Sequence, residues 1–275
     1  MHTQDNPMIL LDAKKIQSHT RYQPTLTIFE TIGSTNDYLL QLNEPAGAIN
    51  ICLAEEQVQG KATRGKTWYS AFAENLYFSC RYPLIAPIND YSSLSLVVSL
   101  AVVRTLKRYP VPQPFWVKWP NDVLYDHQKI SGNLIEVQRQ SQHVVIGIGI
   151  NVNMLHDLDA ITQPWTSLRQ ITGVYLDRNV LCGSLINHLL DYLYIYSEKG
   201  LEAFMAEWQA QDYLQGKDIA LLHNGKTIEG CVMGIDGLGR LVLAVDGEVK
   251  RFPSGESRVL KNPTGFYPLT DSASR

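Results

Sequence analysis

An α+β fold, strand-rich in its body and ending in a small all-β module, is what this chain of 275 residues predicts. Three observations carry that expectation. Apolar runs of strand length recur from Ile49 to Asn153, interrupted by a helical stretch from about Tyr91 to Arg108. From Trp165 to Gln211 the apolar residues keep helical spacing instead. After Gln215-Gly216 short strand-like runs return, separated by Asn224-Gly225, Asp236-Gly237 and Asp246-Gly247, dipeptides that favour hairpin turns.

The elements follow in order. Leu10 to about Thr20 reads as a short amphipathic helix, and Thr25 to Ile32 alternates as a strand does. Ser34 or Thr35 is suited to cap a helix running to Leu42, with Asp37 at its positive end. Strands are expected at Ile49–Glu56 and Asn75–Tyr82, then over 113–125, 129–138 and 144–152, the last two as a hairpin. Trp165 to Thr172 is a short helix, and Asp177 opens a long one reaching about Ser197. Gly200 separates that helix from Leu201–Gln211, and Leu185, Leu189, Leu190 and Leu193 form a core face rather than a cofactor box. Four short strands, 218–222, 227–235, 241–245 and 248–252, complete the barrel. The domains expected are 1–214 and 215–262, with a loose tail over 263–275.

Composition narrows the class without deciding it. A hydrophobic share of 45% is ample for a core, and a net charge of −3 gives no support to a nucleic-acid partner. Cys52, Cys80, Cys182 and Cys231 form no Cys-x-x-Cys pair and read as buried free thiols in a reducing cytosol. The polar N-terminus is unlike a signal peptide, and the longest apolar run, Leu94 to Val103, is too short to cross a bilayer. The expectation is a cytoplasmic protein with no membrane partner.

Three segments carry the chemistry. The loop from Gln57 to Trp68 carries Lys61 and Arg64 between Gly60 and Gly65, and Lys66 just after, with no acidic residue. Such a loop can surround a phosphate with main-chain N–H groups and cations, or simply be a solvated basic loop. It is not a P-loop, because Gly65-Lys66-Thr67 leads to Trp68 and a strand instead of opening a helix. The second segment is Lys118-Trp119-Pro120-Asn121-Asp122, followed by Lys129-Ile130-Ser131-Gly132. The third is Gly147-Ile148-Gly149-Ile150-Asn151. Taken singly, the second could be a turn and the third a strand with close backbone approach. Together they set polar groups at the ends of apolar strands, the usual anatomy of a small-molecule site on a rigid sheet.

On these segments, with Gly33-Ser34-Thr35-Asn36, the chain from about Leu10 to Lys261 resembles the bacterial biotin–protein ligases. The resemblance implies a central mixed sheet with flanking helices, of the biotin/lipoate ligase type, and an SH3-like C-terminal barrel. It implies activation of biotin by ATP to biotinyl-5′-AMP, then transfer to one lysine of a biotin carboxyl-carrier protein, with Mg²⁺ held through phosphates. No nucleophile is required, since positioning and electrostatics supply most of the catalysis. By position, Ser34, Thr35, Asn36, Gln57, Gly60, Lys61, Lys129 and Gly132 match the biotin side. Lys61, Arg64, Trp68, Asn121, Lys129, Asn151 and Trp165 match the adenylate side, and Asp122 matches a position that organises the loop. Lys129 is expected to be the main catalytic group, with Lys61 and Arg64 beside it. Trp165 reads equally as a core residue, Trp68 and Trp119 also as packing residues, and Glu256 and Arg258 are the barrel residues expected nearest the site.

Two departures have consequences. The family loop is Gly-Arg-Gly-Arg-x-Gly, whereas this one is Gly60-Lys61-Ala62-Thr63-Arg64-Gly65. Lys61 keeps a charge but not a guanidinium fork, and Thr63 removes a guanidinium, so adenylate is expected to form and to be held less tightly. Many bacterial members begin with a winged helix-turn-helix, for which there is no room before Leu10, so the expectation is a ligase that does not bind DNA. A lipoate–protein ligase and a non-catalytic biotin or adenylate sensor are the rival readings. Whether an edge strand of the sheet pairs into a homodimer stays open.

Overall fold

In a computed structural model, residues 8–43, 47–83, 92–137, 143–156, 161 and 163–260 are described. The tail expected over 263–275 therefore lies outside the described residues. Among the described residues the strands form one sheet of seven and one of five.

The first sheet contains β1 (Thr25–Ile32), β2 (Asn50–Gln57), β3 (Leu76–Pro83), β4 (Phe115–Lys118), β5 (Asp122–Tyr125), β6 (Gln128–Glu136) and β7 (His143–Ile150). Their order is β1-β2-β3-β7-β6-β5-β4. β1 and β2 are parallel, joined through helix α2 (Thr35–Gln41), and the other neighbours are antiparallel. That makes the sheet mixed. The single strand expected over 113–125 is two, β4 and β5, separated by a turn at the cis Trp119–Pro120 peptide. A hairpin with Asp126 and His127 at positive φ then joins β5 to β6.

Helices cover both faces of the sheet. α2 packs a small cluster of Leu39, Cys52 and Val145, with Phe29 and Tyr38 at its margin. On the opposite face lies the main core. There α3 (Ser92–Leu106), apolar nearly all round and therefore buried, contacts β4 and β6 and also α5 (Arg178–Lys199). Ser34 caps α2 and Asp177 caps α5, each accepting from a first-turn N–H. The first helix, α1, spans only Ala13–Ser18, because Asp12 caps it there. The helix expected from Trp165 begins later, as α4 (Leu168–Thr172): Ser167 supplies a capping box, and Trp165 forms a parallel bridge with Lys129 instead. After a 3₁₀ turn at Leu201–Phe204, α6 (Met205–Gln211) ends the helical region.

Ahead of α1, the chain is anchored by a buried ion pair. Arg178 and Glu55 lie 2.6 Å apart, and the same guanidinium donates to Ile9 O at 2.8 Å and Asn75 O at 3.0 Å. Cys52, Cys80 and Cys182 are buried free thiols, and burial pushes Cys52 and Cys80 up to about 12, so neither is a nucleophile at neutral pH. Cys231 is only half-buried, short of the burial expected.

The second sheet, order β11-β10-β9-β8-β12, is antiparallel throughout: β8 (Asp218–His223), β9 (Lys226–Ile235), β10 (Leu241–Val245), β11 (Glu248–Phe252) and β12 (Ser257–Val259). It forms the small barrel-like unit, and β12 is the strand that sequence patterning missed. Asn224-Gly225 and Asp246-Gly247 are two-residue turns with both members at positive φ. The Asp236-Gly237 connection is longer. Asp236 there accepts from Leu238 N and Arg240 N, and the positive φ belongs to Gly239. Gly239 O in turn accepts from Trp119 Nε1 at 3.0 Å, so the fully buried Trp119 docks the barrel on the β4–β5 turn.

Candidate active site

Two adjoining cavities open where the ends of β2, β3, β6 and β7 meet the α2 N-terminus and the β4–β5 turn. The narrower has a volume of about 50 Å³, the wider about 510 Å³. Of the residues expected on the biotin side, Ser34, Thr35, Asn36, Gln57, Lys61, Lys129 and Gly132 line the narrow cavity. Of those expected on the adenylate side, Arg64, Trp68, Asn121, Lys129, Asn151 and Trp165 line the wide one, together with Asp122, whereas Lys61 lines only the narrow one. Lys129, Trp68 and Asn121 belong to both, so Lys129 stands at the junction. Gly60 lines neither. It forms the base of the loop, where its carbonyl accepts from Trp68 N and an added Cβ would lie 2.5 Å from Trp68 O.

The narrow cavity is built by a chain of short polar side chains. Thr35 donates through both N and Oγ1 to Gln57 Oε1 at 2.9 Å, and Thr35 Oγ1 also meets Ser79 Oγ at 2.7 Å. Ser79 donates to Asn36 Oδ1 at 2.6 Å, and Asn36 Nδ2 to Glu136 at 2.7 Å. Asn36 fits only because Gly147 beneath it has no side chain: an added Cβ would lie 2.5 Å from its Oδ1. Gly149 likewise admits the Trp68 ring, which an added Cβ would overlap. The glycines of the Gly-x-Gly-x-Asn segment are thus explained by close approach, not by unusual φ.

Asn121 Nδ2 donates to Asn133 O at 2.7 Å, and Asn151 Nδ2 to Thr166 O at 3.0 Å. Asn133 is buried, accepting from Ser95 Oγ at 2.6 Å and donating to Ser99 Oγ at 2.9 Å. Ser79 and Asn133 escaped the sequence reading. Their signal was available: a polar residue within an otherwise apolar strand, where it must find a partner.

Charge is concentrated around Asp122. Its Oδ1 lies 2.6 Å from Lys129 Nζ and its Oδ2 2.9 Å from Lys118 Nζ. Burial alone would raise this carboxyl, but the two ammonium groups outweigh it and hold Asp122 well below the usual carboxylate range. Two cations on one carboxylate leave the junction with a local positive excess. Lys129 Nζ also lies 5.2 Å from the centroid of the Trp68 ring.

The loop places its cations apart. Lys61 pairs with Asp37 of α2, and hydrogen bonding to that carboxylate raises the Lys61 ammonium. Thr63–Gly65 forms a 3₁₀ turn with Arg64 at φ 61. The Arg64 guanidinium donates to the barrel carbonyls of Ser254, at 3.2 Å, and Ser257. Arg64 thus bridges the loop to the barrel. Arg258 lines the wide cavity, while Glu256 accepts from Asn224 on the barrel. Among the described residues no three His, Cys, Asp or Glu side chains gather as a metal site, and no helix is long and apolar enough to cross a membrane.

The chain is similar to several known proteins. The biotin/lipoate A/B protein ligase family profile matches residues 28–151. The bifunctional ligase/repressor BirA of Salmonella typhimurium is 34% identical over 254 residues, spanning 91% of this chain and 78% of that protein. The biotin–[acetyl-CoA-carboxylase] ligase of Mycobacterium tuberculosis is 29% identical over 84% of this chain and 87% of its own length. Among solved structures, the biotin protein ligase from Aquifex aeolicus in complex with biotin and ATP superposes with a TM-score of 0.77. It is 28% identical, and the match covers 86% of this chain and 99% of that one.

Proposed function

The chain belongs to the biotin/lipoate A/B protein ligase family, and we propose that it is a biotin–[biotin carboxyl-carrier protein] ligase, a finer assignment than membership alone. The observation that carries the reading is Lys129 at the junction of a small polar cavity and a larger cationic one. In the first step a biotin carboxylate oxygen bonds to the α-phosphorus of ATP, the bond to the β-phosphate bridging oxygen breaks, and pyrophosphate leaves. In the second, the carrier lysine amine attacks the acyl carbon of biotinyl-5′-AMP. An amide forms, AMP departs with the bonding pair, and the amine gives up a proton.

Biotin is assigned to the narrow cavity with Ser34, Thr35, Asn36, Gln57 and Gly132, and the nucleotide to the wide one with Trp68, Asn121, Asn151 and Trp165. Lys129 would neutralise carboxylate and phosphoryl oxygens in turn, Lys61 would add charge from the loop, and Asp122 would hold the lysines in place. The two oxygens of Asp122 are committed to lysines, which fits Mg²⁺ arriving on the triphosphate rather than in a protein cage. We further assign residues 1–214 to the catalytic domain and 215–262 to the barrel. This reading gives DNA and membranes no part in the reaction.

Incubation with ATP and Mg²⁺ and either biotin or lipoate, followed by mass analysis of the nucleotides, tests the substrate. Biotinyl-5′-AMP formed in preference to the lipoyl adenylate is expected. Lipoyl adenylate alone would reassign the chain within its family, and no adenylate from either acid would remove the catalytic reading.

A further inference from the structure

The reaction needs the Lys129 ammonium on its substrates, yet the structure docks it 2.6 Å from a carboxylate of the protein itself. Lys118 holds the other oxygen of that carboxylate at 2.9 Å. The three side chains are only 8% (Lys118), 13% (Asp122) and 15% (Lys129) exposed, so water screens them little. Lys118 and Asp122 are direct register partners across β4 and β5, so their pairing is fixed by two strands and the turn between them. Lys129 reaches the same carboxylate from β6, past a register shift between Val123 and Leu124. It also has room to move, because Gly132 has no side chain: an added Cβ would lie 2.9 Å from Lys129 Cε and Nζ.

If Lys129 alone faced Asp122, its departure would leave a buried carboxylate without a counter-charge, and removing one partner of such a pair is strongly unfavourable. With Lys118 in place, Asp122 stays paired when Lys129 leaves. We propose that Lys118 is a positioning residue, the standing counter-ion of Asp122, whose presence frees Lys129 to pass from Asp122 to the incoming carboxylate and phosphate. The proposal rests on the biotin-activating reading of the site. It also assigns the lysine of the Lys118-Trp119-Pro120-Asn121-Asp122 segment a task distinct from that of Lys129: Lys118 never needs to touch substrate.

A double-substitution cycle read by biotin-dependent ATP–pyrophosphate exchange decides it. Lys118→Met is expected to lower the exchange kcat about thirtyfold with little change in the KM for biotin, because Asp122 then retains Lys129. In an Asp122→Asn background the same substitution is expected to cost less than about threefold, since no carboxylate remains to hold Lys129. Lys118→Arg is expected to keep most of the parent kcat, and Lys118→Gln, a second charge-removing variant, to behave as Lys118→Met. Equal losses in the two backgrounds, as a merely structural lysine would give, or no loss in either, overturn the proposal while leaving the ligase reading intact. A parent protein without biotin-dependent exchange would sink the ligase reading, and this proposal with it.

Discussion

Lys129 is the residue on which the account turns. Its replacement by Ala removes the charge shared by both cavities and is expected to lower adenylate formation about a thousandfold, an effect of the size seen when a preorganised electrostatic donor is lost. Single-turnover formation of biotinyl-5′-AMP measures it, and a loss of less than about tenfold would move the electrostatic role elsewhere. Thr63, which lines both cavities, is the second test. Thr63→Arg restores a guanidinium and is expected to slow release of free adenylate. Release at the parent rate would show that the altered loop has no bearing on retention. Most of these residues were legible in the sequence because strand-end glycines and polar side chains fell in short, ordered motifs. Lys118 was legible as part of a motif but not as a partner, since its ion pair with Asp122 depends on register across a turn. Ser79 and Asn133 were marked in the sequence only as polar residues in apolar strands, and the partners they meet are set by the fold.

At the scale of elements, the ligand loop and the barrel are joined through Arg64. Sequence position suggested a phosphate contact for this side chain, whereas the folded loop turns its guanidinium onto the carbonyls of Ser254 and Ser257. Arg64→Ala is therefore expected to loosen the loop and raise the KM for ATP more than it lowers kcat, at a stability cost of about 1 kcal/mol. Steady-state kinetics alongside a denaturation curve checks this, and a pure kcat loss would instead favour direct contact with the reacting phosphate. Regular elements were legible wherever periodicity and caps agreed, as for α2, α5 and the hairpins at Asn224-Gly225 and Asp246-Gly247. Legibility failed where a tertiary partner set the boundary. Trp165 bridges to Lys129 instead of starting a helix, and β12 exists because β8 offers it an edge. The Asp126-His127 turn lacks the Asn-Gly or Asp-Gly signature, so nothing local marked it.

For the whole molecule, stability and function are linked through the joint between sheet and barrel. Trp119 is fully buried and spends its single donor on Gly239. Trp119→Phe is expected to cost about 2 kcal/mol through that lost bond and the smaller ring, read as a lower denaturation midpoint. Near the same joint, the Asp212 carboxyl is buried, facing the Trp208 ring N–H and the Leu214 and Gln215 amides. Burial pushes its carboxyl up to about 6, against an ordinary value of 3.8, although Leu214 N donates to Oδ1. Between those values the folded state binds the extra proton, so this group makes stability fall as pH rises from about 4 to about 6 and stay lower above. Asp212→Asn is expected to remove that slope and to stabilise the protein at neutral pH by up to about 3 kcal/mol. An unchanged pH–stability curve would assign the slope to other groups. The central claim, however, is that the two cavities together perform one reaction, and transfer to a carrier tests it most directly. Purified chain, biotin, ATP and Mg²⁺ incubated with a biotin carrier domain should give a mass increase of one biotin, mapped to a single carrier lysine. Adenylate without any modified carrier, or biotin scattered over many lysines with none preferred, would contradict the account.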